Sequence, residues 1–303
     1  MSASFASALA GARDAAAAQH YPQGALYVMA TPIGNLGDIS LRALHVMQIA
    51  DALACEDTRH TQALLRAYGI DKANWIAVHQ HNEAEAAQAV VERLQQGQRV
   101  VYASDAGTPA VSDPGARLVA AVREAGRPVV PLPGASSVTA ALSVAGAVAE
   151  EASFVFAGFL PAKAGEREDA VAALAAEPRV VVLMEAPHRI DSAARALAAL
   201  GGRHLTVARE LTKQFEEVAT LECAALPAWL QADPQRSRGE FVLVLHAQPL
   251  ARAADEGTRV LAVLLQELPV KSAVKLAAEI TGAPRNELYE AALRIKGGKA
   301  PPP

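Results

Sequence analysis

The sequence predicts an α/β protein built on a largely parallel sheet. Through the first half of the 303-residue chain, short apolar runs alternate with helical patterns in the order βαβαβαβαβα. Strands separated by helices pair in parallel, because each helix returns the chain to the same end of the sheet. Hydrophobic residues make up 51% of the chain and charged residues 20%, which suits a folded protein of about two domains.

The elements of the first half are bounded by capping and turn residues. Ser40 is a typical N-cap and Gly69 a typical C′ residue. Asn82 opens a capping-box-like pattern, and Asp113, followed by proline, is a typical N-cap and N1 pair. The predicted order is strand 26–30, helix 41–50, strand 53–55, helix 58–68, strand 75–79, helix 82–95, strand 99–104, helix 114–125, strand 128–132 and helix 136–145.

The second half predicts a second sheet and a small helical region. Its strands are predicted at 154–159, 180–184, 205–208, 217–221 and 241–245, and its last three helices at 258–268, 271–281 and 286–295. We therefore divide the chain into a flexible leader (1–24), an N-terminal α/β domain (25–134), a C-terminal α/β domain (135–248), and a small helical region with a disordered tail (249–303).

Composition and charge exclude several classes of protein. Cys55 and Cys223 cannot form a disulfide framework and show no metal-ligand spacing, so we expect no metal. The leader lacks the basic start of a secretory signal, and the longest uncharged run, 129–149, is broken by proline and glycine. These features predict a cytoplasmic protein without a membrane span. The net charge of −4 taken alone argues mildly against a nucleic-acid partner, yet six lysines and arginines meet only three acids within 179–213, which predicts a confined basic site.

Three loops rich in glycine and proline follow three of the predicted strands. They are TPIGNLGD (31–38), SDAGTP with SDPG (104–115) and PLPGASS (131–137). Ligands of open α/β sheets bind outside the carboxyl ends of the strands, so these loops are expected to line one cleft. Ordinary strand-to-helix turns also favour glycine and proline, but three such loops in one domain favour a binding site. The dinucleotide-binding glycine motif and the P-loop motif are both missing.

Several motifs occurring together carry a resemblance to a known family. They are TPIGNLGDIS (31–40), CEDTRHT (55–61), HNE (81–83), SDAGTP with SDPG (104–115), PLPG (131–134), GFLP (158–161), EAPHR (185–189), ARELTK (208–213) and GEFVLVL (239–245). Residues 25–296 resemble the tetrapyrrole-methylase-like (class III) superfamily of S-adenosylmethionine-dependent methyltransferases, and within it the branch that methylates small-subunit ribosomal RNA. The resemblance implies two α/β domains with the methyl donor in the cleft between them. It further implies 2′-O-methylation of a cytidine (cytidine 1402) in the decoding region of 16S rRNA by a homodimer.

The resemblance also implies which residues contact S-adenosylmethionine. They are Pro32, Ile33, Ala106, Gly107, Thr108, Val111, Ser136, Ser137 and Glu185. Asp105 lies at the carboxyl end of a strand, within the most specific motif, and we predict a role for it at the donor or the acceptor. Thr108 stands where members that act on small molecules carry an acidic residue, which argues against a tetrapyrrole substrate.

A ribose 2′-hydroxyl is a weak nucleophile, so a base near the acceptor is expected to assist the transfer. The predicted catalytic residues are Asp105, Glu56 and His81, and further candidates are Asp57, Asp113 and His79. Asp113 can instead serve as the N-cap of the following helix, and Glu56 and Asp57 can instead pair with Arg59. The identity of the base stays open at this point.

RNA binding requires cations that reach phosphates. The predicted contacts are Arg59, His60, His188, Arg189, Arg209 and Lys213, all in motifs that follow strands. The basic C-terminal helices add a second basic surface, or else form a helical cap or a dimer contact. Two other functions remain open: a methylase of a tetrapyrrole or corrinoid precursor, and a catalytically silent RNA-binding module that assists assembly of the small subunit. The intact donor loops favour an enzyme.

Overall fold

The first sheet is fully parallel, as the alternation of strands and helices predicts. The computed structural model describes residues 5–79, 82–148, 153–248 and 252–296. The strands of this sheet are β1 (Leu26–Met29), β2 (Ala52–Cys55), β3 (Trp75–Ala77), β4 (Val100–Ala103) and β5 (Val129–Leu132). They lie in the order β3-β2-β4-β1-β5, with every neighbouring pair parallel. The loops after β4, β1 and β5 therefore leave adjacent positions at one edge of the sheet.

Helices cover both faces of the first sheet. They are α1 (Ala6–Ala16), α2 (Leu41–Ile49), α3 (Thr58–Ala67), α4 (Glu83–Gln95) and α5 (Ala116–Glu124). Successive strand residues point to opposite faces, so Val101 and Ala103 join the core against α1 and α2, whereas Val100 and Tyr102 join the core against α4 and α5. We call this sheet and its helices the first lobe.

The flexible leader predicted for residues 1–24 is wrong for the described part, since Ala6–Ala16 is a helix. Ala12 is fully buried against the first core, and the ring of Phe5 packs edge-on against Tyr68 with a centroid distance of 5.1 Å. Small alanine side chains let α1 lie close to α2, and this packing stabilises a segment whose composition had suggested disorder.

The second sheet is mixed. Its strands are β6 (Phe154–Phe159), β7 (Val180–Glu185), β8 (His204–Arg209), β9 (Glu217–Glu222) and β10 (Phe241–Leu245), in the order β6-β7-β10-β8-β9. Strands β6 and β7 are parallel, and the other neighbours are antiparallel. Helix α6 (Ser137–Ala145) packs on β8, β9 and β10, and α7 (Ala164–Ala175), α8 (Ile190–Leu197) and α9 (Leu226–Gln231) complete what we call the second lobe. The domain boundaries themselves stay a prediction.

Three helices close the described chain. They are α10 (Arg252–Glu267), α11 (Val270–Thr281) and α12 (Arg285–Lys296), and they bury a core of their own around Leu261, Ala277 and Ala292. Helix α10 begins six residues before the predicted helix. Among the described helices, none combines the length and the apolar character needed to cross a membrane.

Candidate active site

The three glycine- and proline-rich loops bind one another at the edge of the first sheet. Thr31 and Gly107 exchange backbone hydrogen bonds of 2.9 and 3.1 Å. The hydroxyl of Thr31 donates to the carbonyl of Ser104 at 3.2 Å, and that of Thr108 donates to the carbonyl of Ala135 at 3.1 Å. Because adjacent strands deliver these loops, the predicted convergence is confirmed, and the loops form one preorganised wall.

A cleft of about 390 Å³ lies between this wall and the second lobe. On the side of the converging loops it is lined by Ile33, Glu56, Asp105, Ala106, Gly107, Thr108, Val111, Asp113, Ser136 and Ser137. From the second lobe it is lined by Phe159, Met184, Glu185, Ala186, Pro187, Ala208, Leu211, Glu240, Phe241 and Val242. The cleft thus brings together the predicted donor contacts, except Pro32, which does not line it.

Glu185 presents an unsatisfied acceptor to the cleft. Its side chain is 1% exposed; Oε1 accepts a hydrogen bond from the backbone N–H of Ala186 at 3.0 Å and forms an ion pair with Nε of Arg189 at 3.1 Å. Oε2 is buried and has no hydrogen-bond partner among the described residues. A buried carboxylate oxygen without a donor is costly, so this position fits a ligand that carries a hydroxyl or ammonium group.

Arg189, which is predicted to contact RNA, is the cation beside this carboxylate. Its guanidinium pairs with Glu185 and also donates to the carbonyl of Leu160. Both interactions point the side chain into the protein, where it orients the cleft carboxylate. The RNA contact of Arg189 stays a prediction, and its partner Glu185, four residues earlier on β7, cannot be recognised from charge counts alone.

Three carboxylates lie on the first-lobe side of the cleft: Glu56, Asp105 and Asp113. Burial raises the pKa of Glu56, and the negative charges of Asp105 and Asp113 raise it further. Burial likewise raises the pKa of Asp113, with a further contribution from Asp105. Asp105 accepts a hydrogen bond from the backbone N–H of Asp57 at 3.1 Å, which ties the loop after β4 to the loop after β2.

The N-cap interpretation of Asp113 is wrong. Helix α5 begins later, and its first N–H groups are bound by Glu83 instead: Oε1 accepts hydrogen bonds from Gly115 and Arg117 at 3.1 Å each and from Leu118 at 3.3 Å. Asp113 is thereby left free of a capping role and lines the cleft. A sequence pattern could not show this, because the carboxylate that caps α5 comes from another helix.

The neighbouring HNE motif is only partly described. His81, a predicted catalytic residue, lies outside the described residues. Asn82 does not cap α4 with its side chain; its amide accepts from the N–H of His79 at 2.8 Å and donates to the carbonyl of Ala77 at 2.9 Å. Glu83, the last residue of the motif, is the cap of α5 described above.

The predicted RNA contacts separate into exposed and internal groups. Arg59, His60 and His188 are exposed, and Arg59 pairs with Asp57 at 3.0 Å. Arg209 is only 7% exposed, and its guanidinium donates to the carbonyls of Arg238 and Phe215, which leaves it no surface to offer to RNA. Arg209 therefore contributes little to the confined basic site predicted from the charge count of 179–213.

Lys213 bridges the two lobes instead of facing solvent. Its ammonium contacts the carboxylates of Glu210 at 2.8 Å and Glu240 at 3.1 Å. Burial alone would lower the pKa of Lys213, but these two hydrogen bonds raise it above the ordinary value. Its aliphatic stem covers Gly34 of the first lobe, where an added Cβ would lie 2.4 Å from Cγ of the lysine. Lys213 is thus a contact between the lobes, and the RNA contact predicted for it stays a prediction.

The residue pattern did not reveal the apolar and aromatic residues of the second-lobe wall, among them Phe159, which is 46% exposed. The signal that could have found Phe159 is Gly158, since a glycine within a strand pattern often marks a bulge. Among the described residues, no group of three or more histidine, cysteine or acidic side chains is arranged to hold a metal.

Comparisons with known proteins agree with this architecture. Residues 25–227 match the family described as Tetrapyrrole (Corrin/Porphyrin) Methylases, and residues 251–296 match the RsmI C-terminal HTH domain. The chain is 47% identical over 280 residues to ribosomal RNA small subunit methyltransferase I of Escherichia coli O157:H7, covering 91% of this chain and 96% of that protein. It is 47% identical over 270 residues to the protein of the same name from Xylella fastidiosa, covering 88% and 98%.

Two solved structures share the fold at low sequence identity. The cobalt precorrin-4 methyltransferase CbiF is 18% identical with a TM-score of 0.55, covering 75% of this chain and 98% of that one. Uroporphyrin-III C-methyl transferase from Thermus thermophilus, complexed with S-adenosyl homocysteine, is 16% identical with a TM-score of 0.51, covering 72% and 96%. The fold and the cleft therefore place the chain in the tetrapyrrole methylase class of methyltransferases. Within that class, the chain belongs to the family of ribosomal RNA small subunit methyltransferase I.

Proposed function

We propose that this protein transfers a methyl group from S-adenosylmethionine to the ribose 2′-hydroxyl of cytidine 1402 in 16S rRNA, within the small ribosomal subunit. The observation that carries the proposal is the cleft itself, which gathers eight of the nine donor contacts that the resemblance implies. The family supports the choice of substrate, because the relatives that match almost their full length are named for small-subunit rRNA.

The residues of the cleft fit S-adenosylmethionine. Met184 and Leu211 offer apolar surface, Ser136 and Ser137 lie on the opposite wall, and the unpartnered Oε2 of Glu185 requires a hydrogen-bond donor. S-adenosylmethionine has an apolar face as well as hydroxyl and ammonium donors. When bound, it supplies an electrophilic methyl group, and the chain must orient it, exclude water and take the proton of the accepting hydroxyl.

Glu56 and Asp105 are the residues that we propose for the proton of the acceptor. Both line the cleft, and Asp105 is positioned by its hydrogen bond with the backbone of Asp57. The pKa of Glu56 is raised by burial and by its acidic neighbours, and a carboxylate with a raised pKa is a better base near neutral pH. His81 remains a candidate from sequence alone.

The proposal includes the cytoplasmic location and the homodimer that the motif resemblance implies. Arg59, His60 and His188 remain the proposed RNA contacts, because their side chains are exposed. The tetrapyrrole alternative has less support: the solved methylases of that kind are only 16–18% identical, which speaks for the fold alone. The silent RNA-binding module also has less support, because such a module needs no buried acceptor in an enclosed cleft.

The test is methyl transfer from labelled S-adenosylmethionine to small ribosomal subunits that lack the modification, followed by digestion and nucleoside analysis. We expect label in 2′-O-methylcytidine at a single position. Label in another nucleoside, or transfer only to a tetrapyrrole precursor supplied in parallel, would contradict the proposal. Calorimetric titration with S-adenosylmethionine tests the donor site independently of the acceptor.

A further inference from the structure

We propose that the acceptor nucleotide binds on a wall shared by both lobes, where Phe159 stacks on its base and Asp113 accepts a hydrogen bond from its ribose. This inference rests on the proposed function, because it assigns a place to the RNA nucleotide within the same cleft. Four observations carry it: the position of Phe159, the loop that presents Asp113, a second cavity beside that loop, and an unpaired arginine on that cavity.

A bulge in β6 directs Phe159 to the cleft. The pairing with β7 runs from Phe154 opposite Val180 to Phe156 opposite Val182, and then shifts, so that Phe159 lies opposite Met184. A regular strand would have placed residue 159 on the face that packs into the core of the second lobe. The one extra residue turns the ring to the other face, where Met184 also lines the cleft.

The loop opposite this bulge presents Asp113. The side chain of Ser112 lies beside the bulge, since a Cβ added to Gly158 would be in van der Waals contact with its Oγ, at 4.0 Å. Ala110 and Ser112 both have positive φ, 66° and 63°, a conformation that is unfavourable for a residue with a side chain and that concentrates at functional loops. Asp113 therefore lies next to the bulge, across the boundary between the lobes.

The surrounding structure maintains this strained loop. The hydroxyl of Tyr102 donates to the carbonyl of Pro114 at 2.8 Å, and Glu83 binds the N–H of Gly115. Both anchors are buried, so the loop keeps its conformation without a ligand. The position of the Asp113 carboxylate is thus part of the folded structure.

A second cavity, of about 470 Å³, begins at Asp113 and is bordered by Ser112, Glu83 and Arg117. Asp113 belongs to the walls of both cavities, so the second cavity continues the cleft at this end. We therefore place the entry of a nucleotide within a long RNA chain at this end of the cleft. The side chain of Arg117 is exposed and has no hydrogen-bond or ion-pair partner in the described part of the chain. It can therefore receive a phosphate.

Together these groups match the parts of one nucleotide. An exposed aromatic ring suits a base, a carboxylate acceptor suits a ribose hydroxyl, and a free guanidinium suits a phosphate. Stacking on a phenylalanine accepts any base, so we expect Phe159 to contribute affinity more than discrimination between bases. An unpaired nucleotide in RNA is the ligand class that this wall fits.

The experiment compares Phe159→Ala with Phe154→Ala, a matched control on the same strand with 47% exposure and no place in the cleft. KM and kcat are measured with small ribosomal subunits, and the Kd for S-adenosylmethionine by calorimetry. We expect Phe159→Ala to raise KM for subunits at least about fivefold with an unchanged donor Kd. Phe159→Trp keeps an aromatic ring and should raise KM less than Phe159→Ala does, and Phe154→Ala should not differ from the wild type.

Two further variants test the polar groups. Asp113→Asn should raise KM for subunits and lower kcat with an unchanged donor Kd. Arg117→Ala should reduce the salt dependence of RNA binding by about one unit of the log–log slope. If Phe159→Ala fails to fold, Phe159→Leu keeps an apolar side chain without a ring and should show the same rise in KM.

Three results would overturn the inference. One is a Phe159→Ala protein that loses donor affinity at unchanged KM for subunits, since the ring would then bind the donor. Another is equal behaviour of Phe159→Ala and Phe154→Ala. The third is a wild-type protein that transfers no methyl group to RNA. This result contradicts the proposed function and, with it, the proposed nucleotide site, whereas the first two results contradict only the nucleotide site.

Discussion

Glu83 accepts a hydrogen bond from the backbone N–H of Gly115 at 3.1 Å, and this contact connects the start of α4 to the start of α5. The same carboxylate oxygen binds two further N–H groups of α5. Because Gly115 directly follows the loop that carries Asp113, a residue of one helix determines where a cleft residue on another loop lies. A single buried acid therefore has both a structural and a positioning effect.

Replacement of Glu83 should destabilise the protein. Glu83→Ala leaves three N–H groups without their partner, and we expect the free energy of unfolding to fall by about 2 kcal/mol or more, measured by urea denaturation. Glu83→Gln keeps an acceptor oxygen and should lose less. Glu85→Ala, an exposed acid in the same turn, is the control and should change stability by less than about 0.5 kcal/mol. A Glu83→Ala protein as stable as the control would show that the cap is unimportant.

Removal of Arg189 should weaken donor binding. The guanidinium orients the Glu185 carboxylate, so Arg189→Ala is expected to raise the Kd for S-adenosylmethionine about tenfold, which corresponds to about 1.4 kcal/mol. Glu185→Gln should have a similar effect through the lost charge. Calorimetry provides the measurement, and Arg195→Ala, an exposed arginine of α8, is the control. If Arg189→Ala instead weakens only RNA binding, the original prediction of an RNA contact is correct.

Asp105 can be tested against a matched hydrogen bond elsewhere in the sheet. Asp105 binds the N–H of Asp57 at the carboxyl ends of the strands, and Asp51 binds the N–H of Arg99 near their amino ends. Asp105→Ala should reduce kcat at least about 100-fold with a normal circular dichroism spectrum. Asp51→Ala removes a comparable bond and should keep its activity. Equal activity in the two variants would remove Asp105 from the catalytic site.

The strength of the contact between the lobes can be measured as the coupling energy between substitutions at Gly34 and Lys213. Gly34 has φ +151°, and a Cβ there would lie 2.4 Å from the lysine stem, so Gly34→Ala should displace Lys213 from Glu210 and Glu240. We expect Gly34→Ala to cost about 1–3 kcal/mol of stability, and less when it is introduced into a Lys213→Ala protein. Thermal and urea unfolding of the four proteins give the coupling energy. If the two substitutions change the free energy of unfolding additively, Gly34 and Lys213 are not energetically coupled.

The decrease of kcat at low pH should reflect the protonation of Glu56. A base acts when it is ionised, and a raised pKa means that Glu56 becomes fully ionised only at a higher pH than an ordinary glutamate. At saturating substrates, kcat should therefore rise with pH through this raised pKa and then level off. Asp113→Asn removes a negative charge that raises the pKa of Glu56, so this decrease should move to lower pH. If the midpoint of the pH dependence of kcat is the same in Asp113→Asn and the wild type, Glu56 is excluded as the titrating base.

Strand positions and the converging loops could be predicted from sequence, because both follow from local pattern and from the geometry of parallel sheets. The short apolar run 241–245 forms a buried strand, and loops that follow adjacent parallel strands leave the sheet at the same end. The donor motifs could be recognised through the family resemblance because TPIGN and SDAGTP each lie within one continuous segment of chain. What is local in sequence was predictable.

Features that depend on distant partners were not predictable. The sequence around Asp113 predicts a helix cap, but Glu83 from another helix binds the N–H groups at that position. The position of Arg209 predicts an RNA contact, but its guanidinium donates to two backbone carbonyls inside the protein. A charge count cannot show that Lys213 is neutralised by Glu240, which lies 27 positions later. The direction of Phe159 depends on the register between two strands, which residue pattern alone does not specify.

The hydrogen bond from Thr31 to Ser104 connects residues 73 positions apart. This bond can form only after the central strands have paired. The wall of three loops and the fold of the first lobe therefore form in one cooperative step. A ligand that binds this wall binds only the folded lobe, and it shifts the folding equilibrium by mass action. At a donor concentration 100 times its Kd, the gain in unfolding free energy would be about 2.7 kcal/mol, so substrate supply and resistance to unfolding are thermodynamically linked in this protein.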